Sequence, residues 1–379
     1  MLKWITQLNN KIIEVHEDRI VKIFSDLVTI SSPSYKEHGV IDYIINFVKP
    51  YKVRVKKYPF QGSFNLLLLI DGKEKKQPIL FSGHTDTVGP CEKVTPVITK
   101  DRISSDGTTI LGSDDKAALA IFLEGIRILK ENNIDHGPLE ILLSCAEEVG
   151  LQGAKHFDYK ELKSKYGFVF DSDGPVGKII LKAPYHSTMK VTVTGKAAHA
   201  GMEPEKGINA INVIAEIVQM LPTGRLDEES TANIGVISGG KATNIVAEEA
   251  YIALEIRSMS KTTLQKYEKQ TKEIIQTIAK KYKSKQKIQY NLEYSGFTID
   301  ESDYIVDLVK QAMKKNRIKA VTAHSGGGSD TNIFHKAGIR AINLSCGMRN
   351  AHTKKEYIAI KDLINGTKLM LSIIQLFDK

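Results

Sequence analysis

The apolar run QPILF leads directly into SGHTD, which sets His84 and Asp86 two residues apart where an extended segment leaves the core. Side chains alternate across a strand, so the imidazole and the carboxylate project to one side. A neutral imidazole suits zinc, and a carboxylate two positions on can orient that ring, fix its tautomer or polarise a bound water. On its own the triplet reads as a structural histidine, but the carboxyl end of an apolar strand is where α/β sheets place ligands. Asp114 and Asp115 stand at a helix start in LGSDDKAALA, where one aspartate is enough for capping. LEILLSCAEEVG ends an apolar run on Glu147 and Glu148, and YGFVFDSDG ends another on Asp171 and Asp173. Brought to one rim, these carboxylates would repel one another and shift their own pKa values, and divalent cations relieve that repulsion. His352 lies in a loop, GMRNAHTKKEYI, and His324 precedes three consecutive glycines in AHSGGGSDTN. Such glycines let backbone amides approach a substrate carboxylate, a flexible turn being the alternative, and with no GK[ST] following they do not form a Walker loop.

The elements that must position these residues follow from periodicity. A helix is expected over 10–30 and another in KEHGVIDYIINFVKPY. Extended segments follow in YKVRVKKYPF, FNLLLLIDG and QPILFSGHTD, then a helix in DDKAALAIFLEGIRILKEN and strands in LEILLSCAEE and YGFVFDSD. Short all-apolar strands imply a sheet buried on both faces, hence an α/β sandwich. From APYHSTMKVTVTGKAAHA the pattern changes to clean alternation, and the order through QKIQYNLEYS is βαββαβ, a ferredoxin-like split unit that closes on itself. After about residue 295 helix, apolar strand and helix return. The expected organisation is therefore a catalytic domain over 1–183 and 295–379 with a small α+β domain, 184–294, inserted into it.

The bulk composition excludes several classes. Of 379 residues, 42% are hydrophobic and 26% charged, an ordinary globular balance with enough apolar material for two cores. The longest apolar runs fall short of the roughly 18 to 20 residues of a membrane span, and the amino-terminal segment is charged throughout, unlike a signal peptide. A cytoplasmic, membrane-free protein is expected. Cys91, Cys145 and Cys346 form no CxxC pair, so reduced thiols are expected rather than a disulfide framework or a cysteine zinc site. The net charge of +9 is spread over scattered pairs such as KEKK and KKYKSK without aromatic interleaving, which argues for a solvated surface and against nucleic-acid binding.

The ordered set SGHTDTV, LGSDDKAA, CAEEVG, FDSDG, GKAAHAG, GGGSDTN and NAHTKKE resembles the dinuclear zinc peptidases and deacylases that include peptidase T, glutamate carboxypeptidase and aminoacylase. It is most similar to the peptidase T-like branch and spans nearly the whole chain. The resemblance implies an α/β, three-layer zinc-exopeptidase-like catalytic domain whose inserted ferredoxin-like domain serves as lid and dimerisation domain. It implies two divalent metal ions per subunit, most readily zinc. His84 and an acid after the third strand would hold one, Glu148 and His352 the other, and Asp114 would bridge both. For that acid Asp171 is preferred over Asp173, because it directly follows GFVF. Asp86 would orient a metal ligand, and Glu147 would be the general base. His199 of GKAAHAG would enter the active site of the other subunit of a homodimer and stabilise the oxyanion. Asn244, Arg257 and the loop residues Gly327, Gly328 and Ser329 would contact substrate.

The activity implied is hydrolysis of short peptides, foremost as a tripeptide aminopeptidase. One departure bears on substrate: the family pattern has an arginine just before the two glycines of GGSD, and this chain has Gly326 there. Without that bidentate carboxylate clamp, a dipeptidase, a carboxypeptidase or an N-acyl amino acid hydrolase stays open. A metal-storing or peptide-binding module without catalysis could use the same ligands, but it would need neither Glu147 as base nor Asp86 as orienter.

Overall fold

The computed structural model describes residues 5–8, 11–73 and 76–377. The chain forms two compact units: Met1–Leu181, Ile299–His324 and Ser329–Lys379 make one, Lys182–Thr298 and Ser325–Gly328 the other. Among the described residues no helix is long and apolar enough to cross a membrane, and Cys91, Cys145 and Cys346 are free and buried.

In the larger unit the strands Arg340–Ser345, Tyr166–Ser172, Ile79–His84 and Leu139–Ser144 lie side by side and parallel. Ser63–Ile70 and Arg54–Phe60 extend the sheet antiparallel on one side, and Lys178–Ala183 on the other. Every residue of Ile79–His84 and Leu139–Ser144 is buried, as expected for strands covered on both faces. Alternate residues supply the two cores. Leu80, Leu142, Val169 and Phe334 pack on one face, while Phe81, Phe122, Phe168 and Phe170 form an aromatic cluster with centroids 5.4–6.2 Å apart on the other. Each such side chain contributes about 1.5–3 kcal/mol on leaving water. The helix Ser113–Glu131 brings Phe122 to that cluster and packs against both Glu17–Thr29 and Ile360–Leu376.

The expected helix over 10–30 is corrected: residue 10 lies outside the described residues, and Lys11–Glu14 is a strand paired antiparallel with Ile5–Leu8. The helix itself runs Glu17–Thr29. Buried Ile13 and Val15 follow a period of two, but that stretch is too short to separate in sequence from the 3.6 period of Ile20, Ile23, Phe24, Leu27 and Val28.

The smaller unit is an antiparallel sheet in the order Gly224–Asp227, Ser230–Gly239, Glu249–Ser258, Tyr185–Thr194, Lys285–Tyr294. Its Tyr185–Thr194 strand buries Met189, Val191 and Val193, and Ala250, Ile252, Leu254 and Ile256 do the same opposite, with Val191 facing Ile252. The helices Ala210–Met220 and Lys261–Lys281 cover that face with Val213, Ile214, Ile217, Leu264 and Ile275. Asn209 caps the first through Ile211 N–H and Ser260 the second through Thr263 N–H. The βαββαβ order is present, with Gly224–Asp227 as a strand the sequence pattern did not reveal.

Candidate metal centre

The parallel strands end on one rim of the sheet. His84 is the last residue of its strand and pairs with Ser144, so the chain leaving Ser144 carries Glu147 and Glu148 past it. Ser82 pairs with Val169, and two residues on His84 comes level with Asp171. The His84 Nε2 atom lies 3.9 Å from Asp171 Oδ1 and 3.1 Å from Asp114 Oδ1. The other oxygen of Asp114 is 3.1 Å from His352 Nε2, which also lies 2.9 Å from Glu148 Oε1. Ligand atoms of His84, Asp114 and Glu148 fall within 4.8 Å of one another, as do those of His84, Asp115 and Asp171. Asp173 stands apart, exposed and bonded at 2.6 Å to Lys178 Nζ.

The electrostatics are those of an acid cluster short of positive charge. Burial pushes the carboxyls of Asp171 and Glu147 well up, and neighbouring carboxylates add to it, Asp114 acting on Asp171 and Asp171 on Glu147. Burial opposes charge on Asp114 as well, but the His352 and His84 imidazoles outweigh it and hold that carboxyl far down. His352 is pushed up to about 10 by its bonds to Asp114 and Glu148. Burial disfavours a charged His84, yet Asp114 and Asp86 hold its proton well above the usual range. Imidazole nitrogens and carboxylate oxygens in one group, with the charge on each depending on the others, form a donor set that fits divalent cations.

Asp86 does two jobs. Its Oδ1 is 3.4 Å from His84 Nδ1 and accepts Glu147 N–H at 2.9 Å, while Oδ2 accepts Ser34 Oγ at 2.7 Å and Glu148 N–H at 3.1 Å. It therefore holds the ring and the backbone of the paired glutamates together, and these partners keep its carboxyl low despite burial. The two adjacent aspartates have different partners. Both have non-helical backbone angles, Asp115 Oδ1 accepts Ala118 N–H at 3.4 Å as a cap, and Asp114 faces the imidazoles. Asp115 Oδ2 also accepts His84 N–H at 3.2 Å. A Cβ on Gly83 would come within 2.5 Å of that oxygen, which explains the glycine in SGH.

Several residues around this centre were not apparent in the sequence. Glu37, fully buried, accepts Ala146 N–H and Tyr35 N–H at 2.9 Å and so holds the turn before Glu147, where Ala146 takes φ +50°. Asp330 accepts Ser144 Oγ at 2.5 Å behind the same turn. Glu356, 1% exposed, receives the backbone that carries Asp114. Glu37, a lone acid in an ordinary stretch, has no local signal, because its partner Ala146 comes from a distant part of the chain. Asp330 stands within GGGSDTN and Glu356 within NAHTKKE, but neither carried a role there.

The remaining expected residues belong to the smaller unit or the glycine loop. His199 is exposed, and its Nδ1 accepts Gly201 N–H at 3.1 Å and Met202 N–H at 3.2 Å, which leaves Nε2 as the ring's donor. Asn244 is its neighbour, its carbonyl accepting Ala200 N–H at 3.0 Å. Arg257 lies elsewhere in that unit. It is paired through Nε and Nη2 with Glu255 at 3.1 Å, while Nη1 reaches Tyr294 Oη at 3.5 Å and Gly326 O at 3.4 Å. A Cβ on Gly327 would lie 3.9 Å from Arg257 Nη1 and from Ser325 Oγ, whereas one on Gly328 would lie 2.3 Å from the Tyr294 ring. Ser329 is buried, and its hydroxyl serves the capping box of the Asp330–Lys336 helix and accepts Asn343 Nδ2 at 3.1 Å. His324 ends the strand Val321–His324 and is exposed.

Residues 185–283 match a peptidase dimerisation domain, and residues 65–206 match peptidase family M28. Peptidase T of Fusobacterium nucleatum is 30% identical over 74% of this chain and 68% of its own. Among solved structures, the aminopeptidase PepT from Bacillus cereus is 36% identical with a TM-score of 0.87, and a tripeptidase from Staphylococcus aureus is 32% identical with a TM-score of 0.90. Each comparison covers 96% of this chain and 99% of the other. With matches of this extent, the chain belongs to the peptidase T family and is a peptidase.

Proposed function

We propose that this chain is a two-metal exopeptidase that removes the amino-terminal residue from short peptides, tripeptides foremost. The observation that carries the reading is Asp114, whose two oxygens each meet a different imidazole at 3.1 Å, with Asp171 beside His84 and Glu148 beside His352. This supports one cation held by His84 and Asp171, a second by Glu148 and His352, and Asp114 shared between them. Zinc suits imidazole and carboxylate, and cobalt or manganese accepts the same donors. When bound, such cations polarise the scissile carbonyl and lower the pKa of the attacking water.

The chain's own residues do the rest. Glu147 takes a proton from the water and returns it to the leaving amine, and burial already raises its affinity for that proton. Adjacent glutamates diverge, so Glu148 can hold metal while Glu147 faces the water. Asp86 keeps both arrangements in register with His84. The Nε2–H of His199, supplied by a second copy of the chain, would donate to the oxyanion, which makes the insert over 184–294 a lid and dimerisation domain. Asn244 and the amides of Gly327 and Gly328 would meet substrate. Arg257, 3.4 Å from Gly326 O, stands beside the position where the family pattern has an arginine, and it would take over part of the carboxylate clamp. A cytoplasmic site of action is part of this proposal.

The test is a screen of tripeptides, dipeptides and N-acyl amino acids with and without chelator, together with metal analysis and Glu147→Gln. Expected are two metals per chain, chelator-sensitive tripeptide cleavage, and a roughly 10²–10⁴-fold fall in kcat with metal retained in the variant. Hydrolysis that survives Glu147→Gln removes the general-base assignment. Preference for an N-acyl amino acid or a carboxyl-terminal residue replaces the tripeptidase reading with the deacylase or carboxypeptidase one.

A further inference from the structure

Glu356 makes no contact with a candidate ligand side chain, yet its carboxylate is fully engaged. Oε2 accepts Leu111 N–H and Gly112 N–H at 2.8 Å each, and Oε1 accepts Ser113 Oγ at 2.6 Å and Asp114 N–H at 3.2 Å. Four donors from four consecutive residues fill its acceptor capacity of about four lone-pair sites. The segment it clasps has little shape of its own: Gly112 is left-handed at φ +77°, and Asp114 departs from helical angles before the helix proper begins. Glu356 lies four residues after His352 in NAHTKKE, so one loop supplies His352 and grips the backbone that supplies Asp114.

We propose that Glu356 is a positioning residue that sets the separation of Asp114 and His352 and thereby governs the affinity of one metal position, the one shared by Asp114, Glu148 and His352. The proposal rests on the two-metal reading above. It predicts unequal sites for a physical reason. His84 and Asp171 sit on neighbouring strands, and His84 is braced by Asp86 and Asp115, so their spacing follows from sheet pairing. His352 is half exposed, at φ +65°, in a loop with no strand neighbour at that residue, so its place depends on what anchors the loop. A glutamine at 356 could accept with one side only and would turn its NH₂ toward two donors, releasing part of the clasp.

The experiment titrates metal-free full-length protein with Zn²⁺ against a chromophoric chelator, and repeats the titration with Co²⁺ read by its visible spectrum. Wild type, Glu356→Gln, Ser113→Ala and His352→Ala are compared, with the Tm of each metal-free form. Wild type should show two binding events, and His352→Ala identifies which event belongs to the Glu148–His352 position. Glu356→Gln should weaken that same event at least 10-fold and the His84–Asp171 event, which also uses Asp114, by a clearly smaller factor. Ser113→Ala, which removes one donor and leaves the carboxylate, should weaken it a few-fold and decides the matter if Glu356→Gln does not fold. Equal weakening of both events, or no change in either, overturns the positioning role. A wild-type chain that takes up no metal overturns the two-metal reading, and the proposal with it.

Discussion

The two halves of the candidate centre are built differently. His84 and Asp171 come from adjacent parallel strands, and their separation is a consequence of register, Ser82 opposite Val169. Asp114 comes from a helix start and Glu148 and His352 from loops, held by buried carboxylates that accept backbone N–H groups: Glu356, from the His352 loop, for Asp114, Asp86 for Glu148, with Glu37 behind the same turn. A sheet fixes positions through many weak, repeated bonds. A loop depends on a few charged acceptors, and each of those is needed because a lost partner leaves a buried donor unsatisfied.

The contrast can be broken most severely at the residue common to both halves. Asp114→Ala should abolish binding of both metals and all detectable peptidase activity, measured by metal analysis and turnover, while a far-UV spectrum stays native. If one metal is retained in full, Asp114 is not shared. A change in the smaller unit should do the reverse. Ile252→Ala, at a fully buried site facing Val191, should cost about 2–5 kcal/mol in denaturant unfolding and leave metal stoichiometry at the wild-type value. Loss of metal there would show that the insert shapes the centre.

Asp86→Asn sharpens the comparison, because Asp86 braces His84 on the strand side and Glu148 on the loop side. A uniform loss of about 10–100-fold in metal affinity across both events is expected, unlike the unequal loss at Glu356. The smallest effect concerns Glu255, which is held down at about 2 by His186 first, then, against burial, by Arg257. Its folded pKa is depressed, so its contribution to stability is present above the ordinary glutamate value and is lost as pH falls from about 4.5 toward 2. The group is one-third exposed, which limits the contribution to about 1 kcal/mol. Glu255→Gln should flatten the stability profile in that window, as read by urea unfolding from pH 2.5 to 6, and a profile that keeps its slope removes Glu255 as the source.

Much of the centre was legible because strand ends and catalytic chemistry coincide. Apolar runs that stop on His84, on Glu147 and Glu148, and on Asp171 announce a rim, and the structure gathers those residues there while leaving Asp173 outside with Lys178. The surplus aspartate in LGSDDKAA was also readable, since capping uses one carboxylate and the structure gives that task to Asp115. The roles of the anchors were not, although Asp330 and Glu356 stand inside GGGSDTN and NAHTKKE. Glu37, Asp330 and Glu356 are single acids whose meaning lies in partners about 100 to 250 positions away, such as Ala146, Ser144 and Leu111. The amino-terminal hairpin was missed for a local reason, two buried residues being too few to establish a period.

The sequence by itself determined which residue types reach the rim and the alternation of the inserted βαββαβ unit, because both follow from local periodicity and from the cost of stopping an apolar strand on charge. The tertiary structure alone decided how those groups are spaced. Parallel pairing brings His84 level with Asp171, and buried carboxylates draw the loops of Asp114, Glu148 and His352 into contact. Such distances depend on bonds between segments far apart in the chain, and no stretch of sequence specifies them on its own.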